Sequence, residues 1–117
     1  VVQARSLLVT QSTNFYMQVI YPTTGNANTP SIASAATAIA ANTARIAWTI
    51  QNLGTNALFV RLGSGASTTV FHFVLKAGTA NDDGLGGICS DAEGVVYTGI
   101  ITIAGTSPRY TVLELAP

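Results

Sequence analysis

A chain of 117 residues is long enough for one domain that buries roughly two-thirds of its unfolded surface without covalent staples. Only 9% of the residues are charged, and five basic and five acidic side chains cancel. Ordinary soluble domains carry about 25% charged residues, so the charge pattern offers no footprint for nucleic acid or an anionic membrane.

Composition narrows the class further. A single cysteine, Cys89, excludes an internal disulfide framework, and 48% hydrophobic content excludes a disordered polar chain. A membrane helix needs about 18 or more apolar residues in succession. The nearest stretch, Ile32 to Ile50, is interrupted by Ser34, Thr37, Asn42, Thr43, Arg45 and Thr49. The first residues lack a basic region followed by an apolar run, so no signal peptide is expected. The charge deficit then points to a domain that buries outer surface against partners, since interface cores are depleted in charge.

In chain order, Ser6 to Thr10 and Asn14 to Tyr21 are rich in strand-favouring residues, and the second run stops at Pro22. Pro22 to Ser31, uncharged and full of Pro, Gly, Asn and Thr, predicts an exposed loop or linker. Ser31 to Ala44 contains helix-favouring alanines, but Ser, Thr and Asn recur and no cap is present. A short strand around Ile32 to Thr37, then a loop, is expected there.

From Arg45 to Asn52, Ile46, Trp48 and Ile50 alternate with Ala47, Thr49 and Gln51, the period of a half-buried strand. Leu53 to Asn56 supplies a turn. Ala57 to Leu62 alternates again, with Leu58, Val60 and Leu62 opposite Phe59 and Arg61. After the turn Gly63 to Ser67, a strand is predicted over Thr68 to Lys76, with Phe71, Phe73 and Leu75 opposite Val70, His72 and Val74. Ala77 to Glu93 predicts a long Gly- and Asp-rich loop. Val95 to Ala104 and Arg109 to Leu115 form a closing pair around Gly105-Thr106-Ser107-Pro108.

Short strands punctuated by Gly, Asn and Pro, with no internal repeat, predict a single all-β domain, an antiparallel β-sandwich of jelly-roll type. Residues 1–44 are expected to supply N-terminal strands and an arm or linker suited to docking or strand exchange. Residues 45–117 are expected to form the sandwich core.

Candidate chemistry is sparse. His72 and Cys89 are the single residues of their kinds, and nucleophilic catalysis needs an orienting group and an oxyanion site that no motif supplies. His72, between two phenylalanines, is expected to be a packed or interface side chain, and no enzymatic role is expected. A structural zinc site needs about four His or Cys ligands. The acids Asp82, Asp83, Asp91 and Glu93 could offer a weak hard-cation site, but their spacing is not that of an EF-hand and Asp-Gly sequences commonly make solvated turns. No metal and no cofactor is expected. Gly84-Leu85-Gly86-Gly87-Ile88-Cys89 lacks the third glycine of a dinucleotide fingerprint, and Gly63 to Ser67 lacks the residues of a phosphate loop. Phe15, Tyr16, Tyr21, Phe59, Tyr97 and Tyr110 are expected as core or interface anchors. Arg61 and Arg109, on strands poor in charge, could pair with Glu114 or reach an acidic patch on a neighbour. Phe15, Tyr16, Tyr21, Arg61 and Arg109 are therefore the candidate interface residues.

The stretch Arg45-Ile46-Ala47-Trp48-Thr49-Ile50-Gln51-Asn52-Leu53-Gly54-Thr55-Asn56, then Leu58-Phe59-Val60-Arg61-Leu62-Gly63, resembles a segment common in small β-sandwich virion proteins of tailed bacteriophages. In those proteins a strand, a Gly/Asp-rich loop and a closing hairpin tend to follow; here Phe71 to Lys76, Asn81 to Gly87 and Gly99 to Leu115 stand in those places. The resemblance covers Arg45 to Leu115. It implies a non-enzymatic structural protein on the capsid exterior, decorating and stabilising the shell as a homo-oligomer, with a homotrimer as the expected form. Its partners would be the major capsid protein and further copies of itself, with no nucleic acid and no membrane. Fibres and tail-associated proteins share such domains, so the alternative expectation is a receptor-binding, glycan-binding module.

Overall fold

The computed structural model describes residues 34–92 and 95–117, together with the backbone of residues 24–28. Among the described residues are eight strands: β1 (Thr24–Asn28), β2 (Ala35–Ile39), β3 (Ala47–Asn52), β4 (Leu58–Leu62), β5 (Phe73–Leu75), β6 (Ile88–Ser90), β7 (Ile101–Ala104) and β8 (Tyr110–Ala116). They form two four-stranded antiparallel sheets, ordered β1-β8-β3-β6 and β2-β7-β4-β5. The all-β expectation holds, as a single domain of two sheets facing each other across one core.

The core follows from strand alternation. Trp48 and Ile50 of β3, Leu58 and Val60 of β4, Ile101 and Ile103 of β7, and Tyr110 and Val112 of β8 all turn inward and are buried. Fully burying an aliphatic side chain of this size stabilises by roughly 1.5–3 kcal/mol, so these inward rows supply most of the driving force. β7 is buried along its whole length. Its outward Thr102 is covered by the β4–β5 connection: the Ala66 N–H donates to Thr102 Oγ1 (3.0 Å), and that hydroxyl donates to the Gly63 carbonyl (2.7 Å).

Several local expectations are corrected. Leu53 to Asn56 and Gly105 to Pro108 do not close hairpins. Each carries the chain from one sheet to the other, since β3 and β8 lie in one sheet and β4 and β7 in the second. The two crossings lie side by side: the Leu53 N–H donates to the Arg109 carbonyl (2.8 Å), and the Asn56 amide donates to the Thr106 carbonyl (3.1 Å). Within Pro22 to Ser31, read as a loop, β1 pairs with β8 from Thr24↔Ala116 to Asn28↔Val112; a ladder of backbone groups needs no strand-favouring side chains. Likewise β6, inside the supposed Ala77 to Glu93 loop, pairs with β3. The strand expected over Thr68 to Lys76 shortens to β5, because Ser67 turns the chain by accepting the Thr69 and Val70 N–H groups on its hydroxyl. Val95 to Ala104 shortens to β7.

Asn52 holds the crossing end. Its parity continues that of Trp48 and Ile50, so its amide points inward and is buried. Its Nδ2 donates to the carbonyls of Asn56, Leu75 and Lys76 (2.8, 3.1 and 3.2 Å), and its Oδ1 accepts the Gly54 N–H (2.9 Å). Gly86 is required beside it, because any Cβ there would collide with the Asn52 carbonyl.

Arg45 holds the other end. Its side chain is fully buried and its Nε donates to Glu114 Oε2 at 2.9 Å. The Nη atoms donate to the carbonyls of Tyr97 (2.6 Å), Gly99 (3.1 Å) and Ala40 (2.6 Å). Glu114 is thus taken by Arg45, not by Arg61 or Arg109. It lies opposite Trp48 in the β3–β8 ladder and shares that inward face, whereas Arg61 lies opposite Thr102 on the outward face of the second sheet.

Arg45→Ala is expected to cost about 3–5 kcal/mol in urea unfolding, because it leaves a mostly buried carboxylate without its charge partner. The pair Arg45→Met with Glu114→Leu should recover a large part of that loss, and a double as unstable as the single would overturn the ion-pair account.

Candidate functional site

Two outward sheet faces and one acid-rich loop are the features from which a site could be built. On the β1-β8-β3-β6 sheet, the register sets Thr49 opposite Leu113 and Ser90, and Gln51 opposite Thr111 and Ile88. Ala47 and Leu115 continue the same face. None of these side chains is charged. Ile88 is 60% exposed and Leu113 42%. Between them Thr49, Gln51 and Thr111 line a shallow groove of about 260 Å³. Such a face has apolar area, hydroxyl and amide hydrogen-bonding capacity, and no charge to desolvate.

The outward face of the other sheet is different. Phe59 lies opposite Val74, and Phe71 folds back onto Phe59 with ring centroids 5.0 Å apart and planes tilted by 59°, within the contact range of aromatic pairs. Phe71, Val70 and Val74 remain exposed. Arg61 lies on this face, and among the described residues it has no ion-pair partner. Arg61 is therefore a cation beside an aromatic and aliphatic patch.

The acids do not converge. Asp82 and Arg109 form an exposed two-pronged pair, Nε to Oδ1 at 2.7 Å and Nη2 to Oδ2 at 2.6 Å. The Arg109 guanidinium holds the Asp82 carboxyl below the usual carboxylate range, and Asp82 in turn raises Arg109. Asp82 takes a left-handed backbone (φ 60°), which aspartate tolerates better than most residues. Asp83 caps its own turn. Its carboxylate accepts the N–H groups of Leu85, Ala80 and Thr79 and the Thr79 hydroxyl, and these bonds, Leu85 and Ala80 foremost, lower it to about 2. Asp91 continues the β3–β6 ladder, accepting the Trp48 N–H on Oδ1 at 3.4 Å. Glu93 lies outside the described residues. Among the described residues no group of three or more His, Cys, Asp or Glu is gathered for a metal ion. The loop instead packs over the sheet crossings: the Asp82 N–H donates to the Leu53 carbonyl and the Gly78 N–H to the Gly54 carbonyl, both at 2.8 Å.

His72 does not lie mid-strand. It precedes β5, is exposed, and its Nδ1 accepts the Leu62 N–H at 2.9 Å. Cys89 is buried on β6 in the other sheet, and burial pushes its thiol up to about 12. A thiol so protonated is a poor nucleophile near neutrality. Of the aromatic candidates, Tyr110 is core and Tyr97 is half-buried against it; Phe15, Tyr16 and Tyr21 lie outside the described residues. The residues missed from sequence are Arg45, Asn52, Thr49, Thr111 and Leu113. The parity of Trp48 and Ile50 would have placed Asn52 inside and Thr49 outside.

No protein-family model, no curated protein and no solved structure matches the chain.

Two outcomes follow from the titrating groups. Because the folded-state value of Asp83 lies below its ordinary 3.8, its contribution to the turn is complete above that range and is lost as pH falls through about 2. A carboxyl-carbon NMR titration should give an Asp83 midpoint near that lower value, and Asp83→Asn should raise amide exchange at Thr79, Ala80 and Leu85. Cys89 should react with an aromatic disulfide reagent at pH 8 only at the rate of unfolding or local opening; reaction as fast as that of a free thiol would contradict its burial.

Proposed function

We propose that the chain is a non-enzymatic structural protein of a tailed-bacteriophage virion, decorating and stabilising the capsid as a homo-oligomer seated on major capsid subunits. The observation that carries this reading is the uncharged outward face of the β1-β8-β3-β6 sheet, with Ile88 and Leu113 exposed on it. Such a face has the chemistry of an interface core and lacks the charges that usually keep a sheet surface solvated.

The strand order supports the same reading. β1 pairs with β8, β2 with β7, β3 with β6, and β4 with β5. This is one long antiparallel ribbon, rolled so that β8 meets β3 and β7 meets β4. We read this order as a jelly roll, an architecture frequent among viral capsid and lectin domains. Fold alone does not assign function; the resemblance of Arg45 to Leu115 to small phage β-sandwich proteins supplies the virion context. The mechanism is mechanical: binding only the assembled shell shifts the equilibrium towards it by mass action. Arg61 and the Phe59–Phe71 patch on the opposite sheet offer a second contact, suited to a further copy of the chain or to the next capsid subunit. The apolar runs before β1 are the docking or strand-exchange arm in this reading.

Quantitative mass spectrometry of purified virions tests it. Many copies per head are expected, while a handful per particle would assign the chain to a tail or vertex. Ile88→Lys and Leu113→Lys should each leave urea stability within about 0.5 kcal/mol, as exposed substitutions do. Each should lower head occupancy at least about tenfold, because a lysine buried without a partner costs well over the 1.4 kcal/mol that a factor of ten represents. Unchanged occupancy in both variants would remove this face from the interface.

A further inference from the structure

The geometry points to an acidic protein partner for the outward face of the β2-β7-β4-β5 sheet: a carboxylate of the partner seats on Arg61 while a neighbouring apolar side chain packs on Phe71 and Val74. This names the occupant of the second contact, and it rests on the virion reading only for where such a partner would be met.

Arg61 carries the inference. It is half-buried on β4 and stands opposite Thr102 on the outward face. Among the described residues its guanidinium has neither an ion-pair partner nor a hydrogen bond. Its place is set all the same. A Cβ at Gly63 would lie 3.5 Å from Arg61 Nε, and one at Gly65 3.8 Å from Nη1, so the guanidinium lies along the two glycines of that turn. A guanidinium presents five N–H donors in a planar fork that matches a carboxylate. Donors already held in place lose less freedom on binding than donors that must be ordered.

The surroundings select the partner. Phe59 shares the outward face with Arg61, and Phe71 stacks on it; Phe71 is 40% exposed, Val70 44% and Val74 49%. No acid occurs in the four strands of this sheet or in the β4–β5 connection, and an exposed lysine, Lys76, follows β5. The face is therefore apolar and cationic. A second copy of the chain fits it poorly, because the described acids are committed elsewhere. Glu114 is taken by Arg45, Asp82 by Arg109, Asp83 by its own turn and Asp91 by the Trp48 N–H. Nucleic acid is disfavoured too, since its affinity grows with the number of phosphates neutralised and the chain has no net charge. What fits is a protein surface on which an acidic side chain neighbours an aliphatic or aromatic one.

The Arg61 Nε–H resonance in a ¹H–¹⁵N spectrum of the full chain reads the site directly. Titration with a blocked peptide of glycyl-glutamyl-leucyl-glutamyl-glycine should shift it saturably, together with the amides of Phe71 and Val74. The glutaminyl counterpart should bind at least about tenfold more weakly for want of the charge, and glucuronate as weakly for want of the apolar side chain. Arg61→Gln should abolish the preference for glutamate with the backbone amide spectrum otherwise preserved. Arg61→Lys, which keeps the charge and loses the fork, should bind with intermediate affinity. A shift that stays linear to the solubility limit would overturn the proposal, as would equal affinity for the glutaminyl peptide or unchanged binding by Arg61→Gln. Sedimentation equilibrium tests the other occupant: a dimer that Arg61→Glu abolishes and Ile88→Lys leaves intact would assign the face to a second copy. None of these measurements involves the virion, so their failure is distinct from a failure of the head-occupancy test.

Discussion

The fold depends on the burial of one guanidinium. Taking a charge out of water costs several kcal/mol, and attraction to a counter-charge offsets it only when the remaining hydrogen-bonding capacity is also met. Arg45 meets the condition through Glu114 on β8 and the carbonyls of Ala40, Tyr97 and Gly99. Those partners come from one sheet, from the residue that follows β2 in the other, and from the connection before β7. The side chain therefore ties both sheets together at one end. It also selects the register. A slip of one residue in the β3–β8 ladder would send Glu114 to the outward face and leave Arg45 buried and unpaired.

Asn52 does the corresponding work at the opposite end of β3, with neutral bonds. Its amide reaches three carbonyls across the crossing, and the Asp82–Arg109 pair and the Asp83 turn pack outside it. Charge is thus spent where the sandwich is closed. Arg45 with Glu114, Arg109 with Asp82, Asp83 on its own turn and Asp91 on the Trp48 amide are all committed to holding the chain. Few charges are left for the sheet faces. The low charge content of the sequence therefore shows most on the outward face of the β1-β8-β3-β6 sheet, where Thr49, Gln51, Ile88, Thr111 and Leu113 carry no charge.

This distribution also explains what could be read from the sequence. Trp48, Ile50, Leu58 and Val60 face inward as their alternation predicts, because a half-buried strand imposes a period of two on its side chains. Alternation cannot say whether the next strand pairs with its predecessor or lies across the core from it, since both arrangements bury the same parity. Leu53 to Asn56 has hairpin residues and makes a crossing. The choice is made by long-range bonds such as those from the Asn52 amide to Leu75 and Lys76. β1 and β6 were obscured for a related reason: Thr24–Asn28 and Ile88–Ser90 join existing ladders at the edges, where backbone pairing suffices. The acid-rich loop was open to two readings, a solvated turn and a weak cation site, because Asp and Gly serve turns and metals alike. Only the placement of Arg109 and of the Thr79, Ala80 and Leu85 amides separates the two.

Edge strand β6 borders both the uncharged outward face and the cavity beside Trp48. Ile88 stands on the outward face, Cys89 turns into the core, and the chain leaves through Ser90 and Asp91 beside the Trp48 cavity. A three-residue edge strand is held by few ladder bonds, and edges are where a sheet is most open to added contacts. Asp91 reinforces it by bonding both backbone groups of Trp48, its N–H donating to the Trp48 carbonyl at 3.3 Å and its carboxylate accepting the Trp48 N–H. Trp48 thus anchors the far end of β6 through its backbone while its side chain lines the cavity.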